Sequence, residues 1–441
     1  MLNTYINAQQ PGGVSTPILW IETTQNSLDK SDAKGVPHLN FHPLKAWDNA
    51  FEIEQQVFPK KDKMSLFLVF QSMKKDAAFE MNTLEKEELA ISDSHITNKR
   101  LLDYESDQGK AKFMFYKDRW TGLKNLDLLF IDQIGSDFVL AEIILYDRFI
   151  SKNQQYRIES YLSIKYGISL TEDKSYYNAD GKNILKGKNG EFSKRVTAIG
   201  RDDNSKLYQK QSVNYYADHF FGISLGKITT WNSENLENLK NNSFIFWSDN
   251  DGTLELNTTK KQGLSYSDIA WKFNLNSMQE AEKEIHVYTD FPLLQNVKGN
   301  QAWFIWMGNS SSKDYLKEGT LYPLQKEGEQ YSTTLLLNKL EHNGQILKYV
   351  LKGRPTDRDP SLEIFPNPAS TKQEIQVMIN NPQKSKLTLL ISDAASKVNY
   401  TKKLGKQAQI KESVSLGEPG IYHVQISSKE NQFSQSIIVS E

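Results

Sequence analysis

Ala141-Glu142-Ile143-Ile144-Leu145-Tyr146 is followed, five positions on, by Ser151-Lys152-Asn153-Gln154, and the hydrophobic period changes between them. The first run, extended back to Phe138, reads as one of several short apolar strands. Ser151 and Gln154 stand at the spacing of a capping box, in which the serine oxygen takes a free amide and the glutamine reaches back. Ile158, Tyr161, Leu162 and Lys165 then share one helical face, and Gly167 supplies a left-handed stop. The pattern predicts a helix over 151–166, about four turns long. On both sides the chain returns to short strand-like runs. The expectation is an all-β protein braced by one helix.

Upstream, apolar runs recur at 18–21, 65–70, 112–116, 126–131 and 138–146. Many short strands of this kind build a sandwich, and 65–70 is apolar enough to lie covered on both faces. Downstream, 198–203, 244–252, 271–273 and 303–306 read as strands with large aromatic contacts. Asp180-Gly181, Asn189-Gly190, Asp251-Gly252 and Asn343-Gly344 read as turns. Residues 354–360 are charged and carry two prolines, the composition of a linker. After them come alternating runs at 374–379, 386–392, 420–427 and 433–439, enough for a small antiparallel sandwich.

The whole chain of 441 residues allows about three domains. Lys and Arg number 53 against 54 Asp and Glu, a net charge of −1 that excludes a generally basic nucleic-acid binder. A hydrophobic fraction of 38% excludes global disorder. No run reaches the roughly 18 apolar residues of a membrane-spanning helix. Cysteine is absent, which removes disulfides, thiolate metal sites and cysteine nucleophiles together. Asn7-Ala8-Gln9, ahead of Gln10-Pro11-Gly12-Gly13, reads as the remnant of a secretion signal, so 1–14 is taken as leader.

The C-terminal segment opens with Phe365-Pro366-Asn367-Pro368-Ala369-Ser370. It carries Ile391-Ser392-Asp393 midway and Leu416-Gly417-Glu418-Pro419-Gly420-Ile421-Tyr422 before the last hairpin, and closes on Ile437-Ile438-Val439. This ordered set resembles the type A C-terminal sorting domain of the Bacteroidota type IX secretion system, with Ala394-Ala395-Ser396 where the family has a glycine-bearing turn. The resemblance implies an Ig-like sandwich over 362–441 and a sorting motif of Pro366, Asn367, Pro368, Asp393, Gly417, Gly420 and Tyr422. It also implies the translocon and its outer-membrane shuttle as partners, and a secreted or cell-surface location.

Leu19-Trp20, the strand at 141–146 and the helix string from Glu159 to Leu170 are similar to concanavalin A-like (laminin G-like) domains of Bacteroidota surface proteins. That implies a jelly-roll-type sandwich over 15–170. In such proteins an uncharacterised β domain follows, here matched by Ala198-Ile199-Gly200-Arg201-Asp202-Asp203 and by 244–252, and assigned 171–354. Residues 355–361 are the linker.

Chemistry was sought in carboxylate clusters. Asp202-Asp203 and Asp249/Asp251 are the candidates for ligand or Ca²⁺ contacts, although adjacent residues on a strand face opposite ways and turn formation competes for such residues. Arg201 reads as their structural ion-pair partner. His38 and His42 have ligand-like spacing but no companion cluster, with Pro37 and Pro43 placing them in a loop. No nucleophile elbow, phosphate loop or His-Glu-x-x-His helix occurs. The aromatic runs at 303–306 and 215–216 could stack on sugars, and core packing competes there. No catalytic residue, no resident metal and no cofactor are assigned. The expectation is a non-catalytic binding, adhesion or scaffold protein with a glycan or surface-protein ligand and no nucleic-acid partner. The rival is a glycan-cleaving enzyme or a structural accessory of an outer-membrane assembly.

Overall fold

The protein is described from a computed structural model. It covers residues 3–4, 10–22, 38–44, 51–54, 62–72, 78–83, 88–92, 95–96, 99–100, 111–119, 128–134, 138–187, 190–216, 219–253, 255–258, 265–276, 282–291, 294, 301–309, 319–338, 343–353, 360–381, 384–428 and 432–441. The fold is all-β with one long helix. Two compact units result: one holds nearly all of the chain up to Tyr349, the other the C-terminal segment from Val350.

In the first unit, β1 (Leu19–Glu22), β2 (Lys63–Ser72), β3 (Ala111–Arg119) and β4 (Phe138–Tyr146) form an antiparallel sheet in the order β1-β4-β2-β3, with residues 3–4 outside β1. Met64 to Phe70 of β2 are all buried, as a central strand covered on both faces must be. A second, six-stranded sheet is formed by 51–54, 128–134, 78–83, 88–92, 95–96 and 99–100, in that spatial order.

The helix α1 (Lys152–Tyr166) starts as its sequence dictates. Ser151 Oγ accepts from Gln154 N at 3.3 Å, Gln154 Oε1 accepts from Ser151 N at 2.9 Å, and Gly167 closes it at φ +66°. Its burial departs from the one-faced brace read from the sequence. Every residue from Ile158 to Tyr166 is buried, because α1 shares one core with residues of the sheet before it and of the sheet after it, from Trp20 and Phe67 to Ala198 and Phe246. Its polar residues are accommodated by partners. Glu159 takes Lys174 Nζ at 2.9 Å and Gln155 Nε2 at 2.6 Å, and Ser160 donates to Tyr156 O at 2.7 Å while accepting from Tyr177 N.

Residues 11–14, read from the sequence as the end of a leader, are part of this core. Pro11, Gly12 and Val14 are buried, and Arg157 Nε donates to Gly12 O at 3.0 Å while Nη2 bonds Gly13 O. Gly12 and Gly13 sit at φ +59° and +66°. A Cβ on Gly12 would stand 2.7 Å from the backbone of Arg157, so close approach and backbone angle both require glycine. Leu170, the expected domain boundary, is itself buried in the same core.

Beyond α1, β5 (Lys194–Asp202), β6 (Leu207–Gln209), β7 (Gln211–Tyr216), β8 (His219–Leu225), β9 (Ser243–Asp249), β10 (Ser265–Asn276), β11 (Glu282–Thr289) and β12 (Gln330–Asn338) follow. They divide between two sheets, β6-β5-β9-β10 and β7-β8-β11-β12. Trp303 and Trp306 are buried, so core packing claims them, while the side chains of Tyr215 and Tyr216 lie outside the described residues. Asn343-Gly344, expected as a turn, opens a strand at Asn343–Gly353, and Asn189 lies outside the described residues.

The second unit contains a sandwich. Its sheets are β13 (Ser361–Phe365), β15 (Glu374–Asn380) and β18 (Gln409–Ser415), and β14 (Ala369–Ser370), β20 (Gln432–Ser440), β19 (Gly420–Ser427), β16 (Leu387–Asp393) and β17 (Val398–Leu404). Alternate residues fill the core: Ile375, Val377 and Ile379 from one sheet meet Leu387, Leu389 and Ile391 and Tyr422, Val424 and Ile426 from the other. The sequence reading lacked β17 and β18. β17 buries only Leu404 and is an edge strand, so it carries little apolar signal.

Candidate functional site: a polar cleft beside a buried ion pair

Glu142 is the one acid in the apolar run of β4, and its side chain is fully buried. Four donors converge on it, one of them Tyr161 OH at 3.4 Å from Oε2. Trp20 Nε1 reaches Oε1 at 2.8 Å, and Lys165 Nζ at 2.7 Å and Tyr166 OH at 2.8 Å reach Oε2. Lys165, from the last turn of α1, also lies 3.2 Å from Glu22 Oε1 and donates to Tyr161 OH at 2.9 Å. Burial pushes the Glu142 carboxyl and both tyrosine hydroxyls up. Burial alone would lower Lys165, but the charges of Glu142 and Glu22 outweigh it and the ammonium is held above its usual range.

His42 sits beside this network, its ring 5.8 Å from that of Tyr166. Burial, followed by the charge of Lys165, lowers its pKa to about 4. His38 and His42 do not occupy a loop. His38–Leu39 pairs with His42–Pro43 in a hairpin whose turn residues, Asn40 and Phe41, both have positive φ, the geometry of a type I′ turn. Asn40 fixes the hairpin tip: its Nδ2 donates to Lys165 O at 3.0 Å, and its Oδ1 accepts from Ser212 Oγ at 2.9 Å and Val213 N at 3.2 Å.

Gln209 settles the tautomer of His42. Its Nε2 donates to Asn40 O at 3.1 Å and Gln211 O at 2.8 Å, so its Oε1 faces His42 Nε2, 2.8 Å away. That nitrogen must carry the hydrogen, and neutral His42 keeps Nδ1 as an acceptor. Over these groups opens a cleft of about 180 Å³. Glu22, Phe41, His42, Pro43, Lys165, Gln209, Asn232 and Ser233 line it, and Asn232 N donates to Phe41 O at 2.9 Å.

The acids chosen from the sequence do not converge. Lys194 of β5 pairs with Asp249, whereas Asp202 ends the same strand; eight residues of strand, about 26 Å, separate the two clusters. Asp202 is buried and accepts from Ala179 N at 2.7 Å, whereas Asp203 is exposed and ion-paired to Arg201 at 2.6 Å. Asp249 and Asp251 do come together, around Arg195 rather than around each other. Asp249 Oδ1 also accepts from Asp251 N at 2.9 Å, making 249–252 an Asx-type turn. Among the described residues no group of three or more His, Cys, Asp or Glu is placed to hold a metal ion.

The residues of the sorting motif shape the turns of the second unit. Asn367 donates to Ser436 O at 3.0 Å and accepts from Ile438 N at 3.1 Å, between Pro366 and Pro368. That places Ala369 beside Val439 in the parallel pairing of β14 with β20. Asp393 Oδ1 accepts from Ala395 N and Lys397 N at 3.0 and 2.9 Å. Ser396 takes the left-handed position there at φ +62°, which a glycine would occupy without strain. Gly417 is exposed, Gly420 begins β19, and Tyr422 donates to Glu418 O at 3.0 Å.

Of the cleft, the sequence reading had named Lys165 as a helix-face residue and His42 as a weak ligand candidate, and it had missed Glu22, Glu142 and Gln209 as a set. The available signal was a single acid in an apolar strand and a single lysine on an apolar helix face, each of which demands a buried partner.

No curated protein sequence matches the chain. Among solved structures it is similar to a biofilm-associated protein BSP domain (10% identity, 100% of this chain and 84% of that one, TM-score 0.20). It is also similar to the adhesin domain of Epf from Streptococcus pyogenes (10%, 52% and 80%, TM-score 0.15). A third is dimeric latent PorU from Porphyromonas gingivalis (9%, 86% and 30%, TM-score 0.16). Likeness at this level carries no argument about function. Residues 154–341 match a domain of unknown function (DUF8202), a match that begins inside α1. Residues 363–440 match the secretion system C-terminal sorting domain, and the chain is accordingly a protein exported by type IX secretion to the cell surface or beyond.

Proposed function

We propose that the chain is a non-catalytic binding, adhesion or scaffold protein, acting at the cell surface or after release, with a glycan or a surface protein as ligand. The observation that carries the reading is the sorting domain at 363–440, which forms a sandwich with its own core. Export directs the rest of the chain to an environment of glycans and surface proteins. The division into a concanavalin A-like region at 15–170, a middle domain at 171–354 and a sorting domain at 362–441 belongs to the same proposal, as do the translocon and its shuttle as partners. The cleft supports binding over glycan cleavage. Glycoside hydrolysis needs two carboxyl groups open to the substrate, and Glu142 is sealed beneath Lys165 and Tyr166, so among the described residues Glu22 alone brings a carboxyl group to the cleft. The test is to compare the full chain with a chain ending at Pro360 in cells, following location by fractionation. The full chain is then assayed for retention on outer-membrane preparations and for hydrolysis of glycans. Turnover of any glycan would replace this reading with the enzymatic one.

A further inference from the structure

We propose that the cleft beside Lys165 binds a neutral saccharide, taking a single sugar unit edge-on against Glu22 and His42. This deepens the reading of the chain as an exported binding protein and rests on it. About 180 Å³ corresponds to the liquid volume of about six waters, room for a small polar ligand and less than a drug-sized one occupies.

The charges at the floor of the cleft are paired with one another. Lys165 is already engaged by Glu142 at 2.7 Å and Glu22 at 3.2 Å, and Lys206, the other lysine that lines the cleft, lies exposed at its edge. His42 adds no positive charge at neutral pH. What the floor offers instead is acceptors. Glu22 commits Oε1 to Lys165 and Tyr161, while its Oε2 accepts no hydrogen bond from the described residues. His42 Nδ1 is the second acceptor, its tautomer fixed by Gln209. Ser233 brings an exposed hydroxyl to the rim.

Acceptors in series call for a ligand that presents several O–H donors. Phe41 and Pro43, which also line the cleft, are apolar and suit the C–H face of a sugar ring. Tyr208, which also lines the cleft, is not the stacking platform, because Arg201 and Lys210 lie 5.1 and 4.6 Å from its ring centre. The site is held rigid from behind, since Asn232 is fixed by Lys210 N at 2.7 Å and Tyr208 O at 2.8 Å. A rigid site loses less entropy on binding.

The experiment uses the full chain and titration calorimetry with glucose, galactose, mannose, N-acetylglucosamine, maltose and cellobiose, with galacturonate and glucosamine as charged counterparts. At least one neutral sugar is expected to saturate the protein, with galacturonate at least about tenfold weaker. Ser233→Phe, which fills the cleft from an exposed position, should weaken that sugar about tenfold or more without moving the thermal midpoint. Glu22→Gln should weaken it as well. Saturation by none of the six, equal binding by Ser233→Phe, or tighter binding of either charged sugar overturns the proposal. Retention of Ser233→Phe on outer-membrane preparations separates the two readings. Retention without sugar binding by either protein removes the cleft alone, whereas a wild-type chain that is neither displayed nor retained removes the parent reading.

Discussion

Lys165 Nζ lies 2.7 Å from Glu142 Oε2, an ion pair that ties the last turn of α1 to the middle of β4. Both charges are out of water, so the cost of losing one partner exceeds the worth of the pair. Lys165→Met should destabilise the first unit by about 3–5 kcal/mol, because Glu142 is left buried and unpaired. Combining it with Glu142→Leu should recover much of that loss. Urea denaturation of the four proteins of the cycle measures the coupling, and a double variant as unstable as the single one would contradict this account.

His42 gives the fold a pH dependence on the acid side. Its pKa is about 4 when folded and about 6.5 when free, so between these values the unfolded chain binds the extra proton. The contribution is fully present above pH 6.5 and is lost as pH falls toward 4, a change on the order of 3 kcal/mol. His42→Gln should flatten the stability curve between pH 7 and 4. An unchanged slope would mean that His42 binds its proton equally well folded and unfolded.

Gly12 and Gly190 share a positive φ, +59° and +67°, and differ in their surroundings. A Cβ at Gly12 meets the Arg157 backbone at 2.7 Å, while one at Gly190 meets nothing within 4 Å. Gly190→Ala should cost about 1 kcal/mol through backbone strain alone. Gly12→Ala should cost at least twice that, because the segment must leave its seat. Thermal midpoints compared side by side decide it, and equal shifts would place residues 10–14 outside the cooperative core.

Asn367 holds the start of the sorting domain against β20 through two hydrogen bonds. Each contributes about 0.5–1.5 kcal/mol at best, and less where exposed. Asn367→Ala should therefore raise amide exchange at Ile438 while leaving the sandwich folded. Ending the chain at Pro360 should instead abolish export and leave the protein inside the cell envelope, which fractionation reads directly.

Much of the fold was legible because local rules and global packing agree. Ser151 and Gln154 announce the start of α1, Gly167 its end, and the alternation through Val424 and Ile426 one face of β19. The depth of α1 was not legible. Glu159, Ser160 and Ser163 look like a solvated face, and only the partners brought by Lys174, Tyr177 and Ile168 make their burial tolerable. The cleft was hidden for a related reason. Glu22, His42, Lys165 and Gln209 are spread over nearly 190 positions, and no spacing rule joins them. Asp249 and Asp251 were singled out because they lie close in sequence, where turn geometry and Arg195 account for both.

The seat of Gly12 beneath Arg157 also bears on the order of events as the chain is made. Gly12 waits 145 positions for Arg157, and Val14 waits 132 for the hydroxyl of Tyr146. Closing so long a loop is slow, and it cannot begin before Arg157 has been made. Residues 11–14 therefore stay unlocked until α1 emerges.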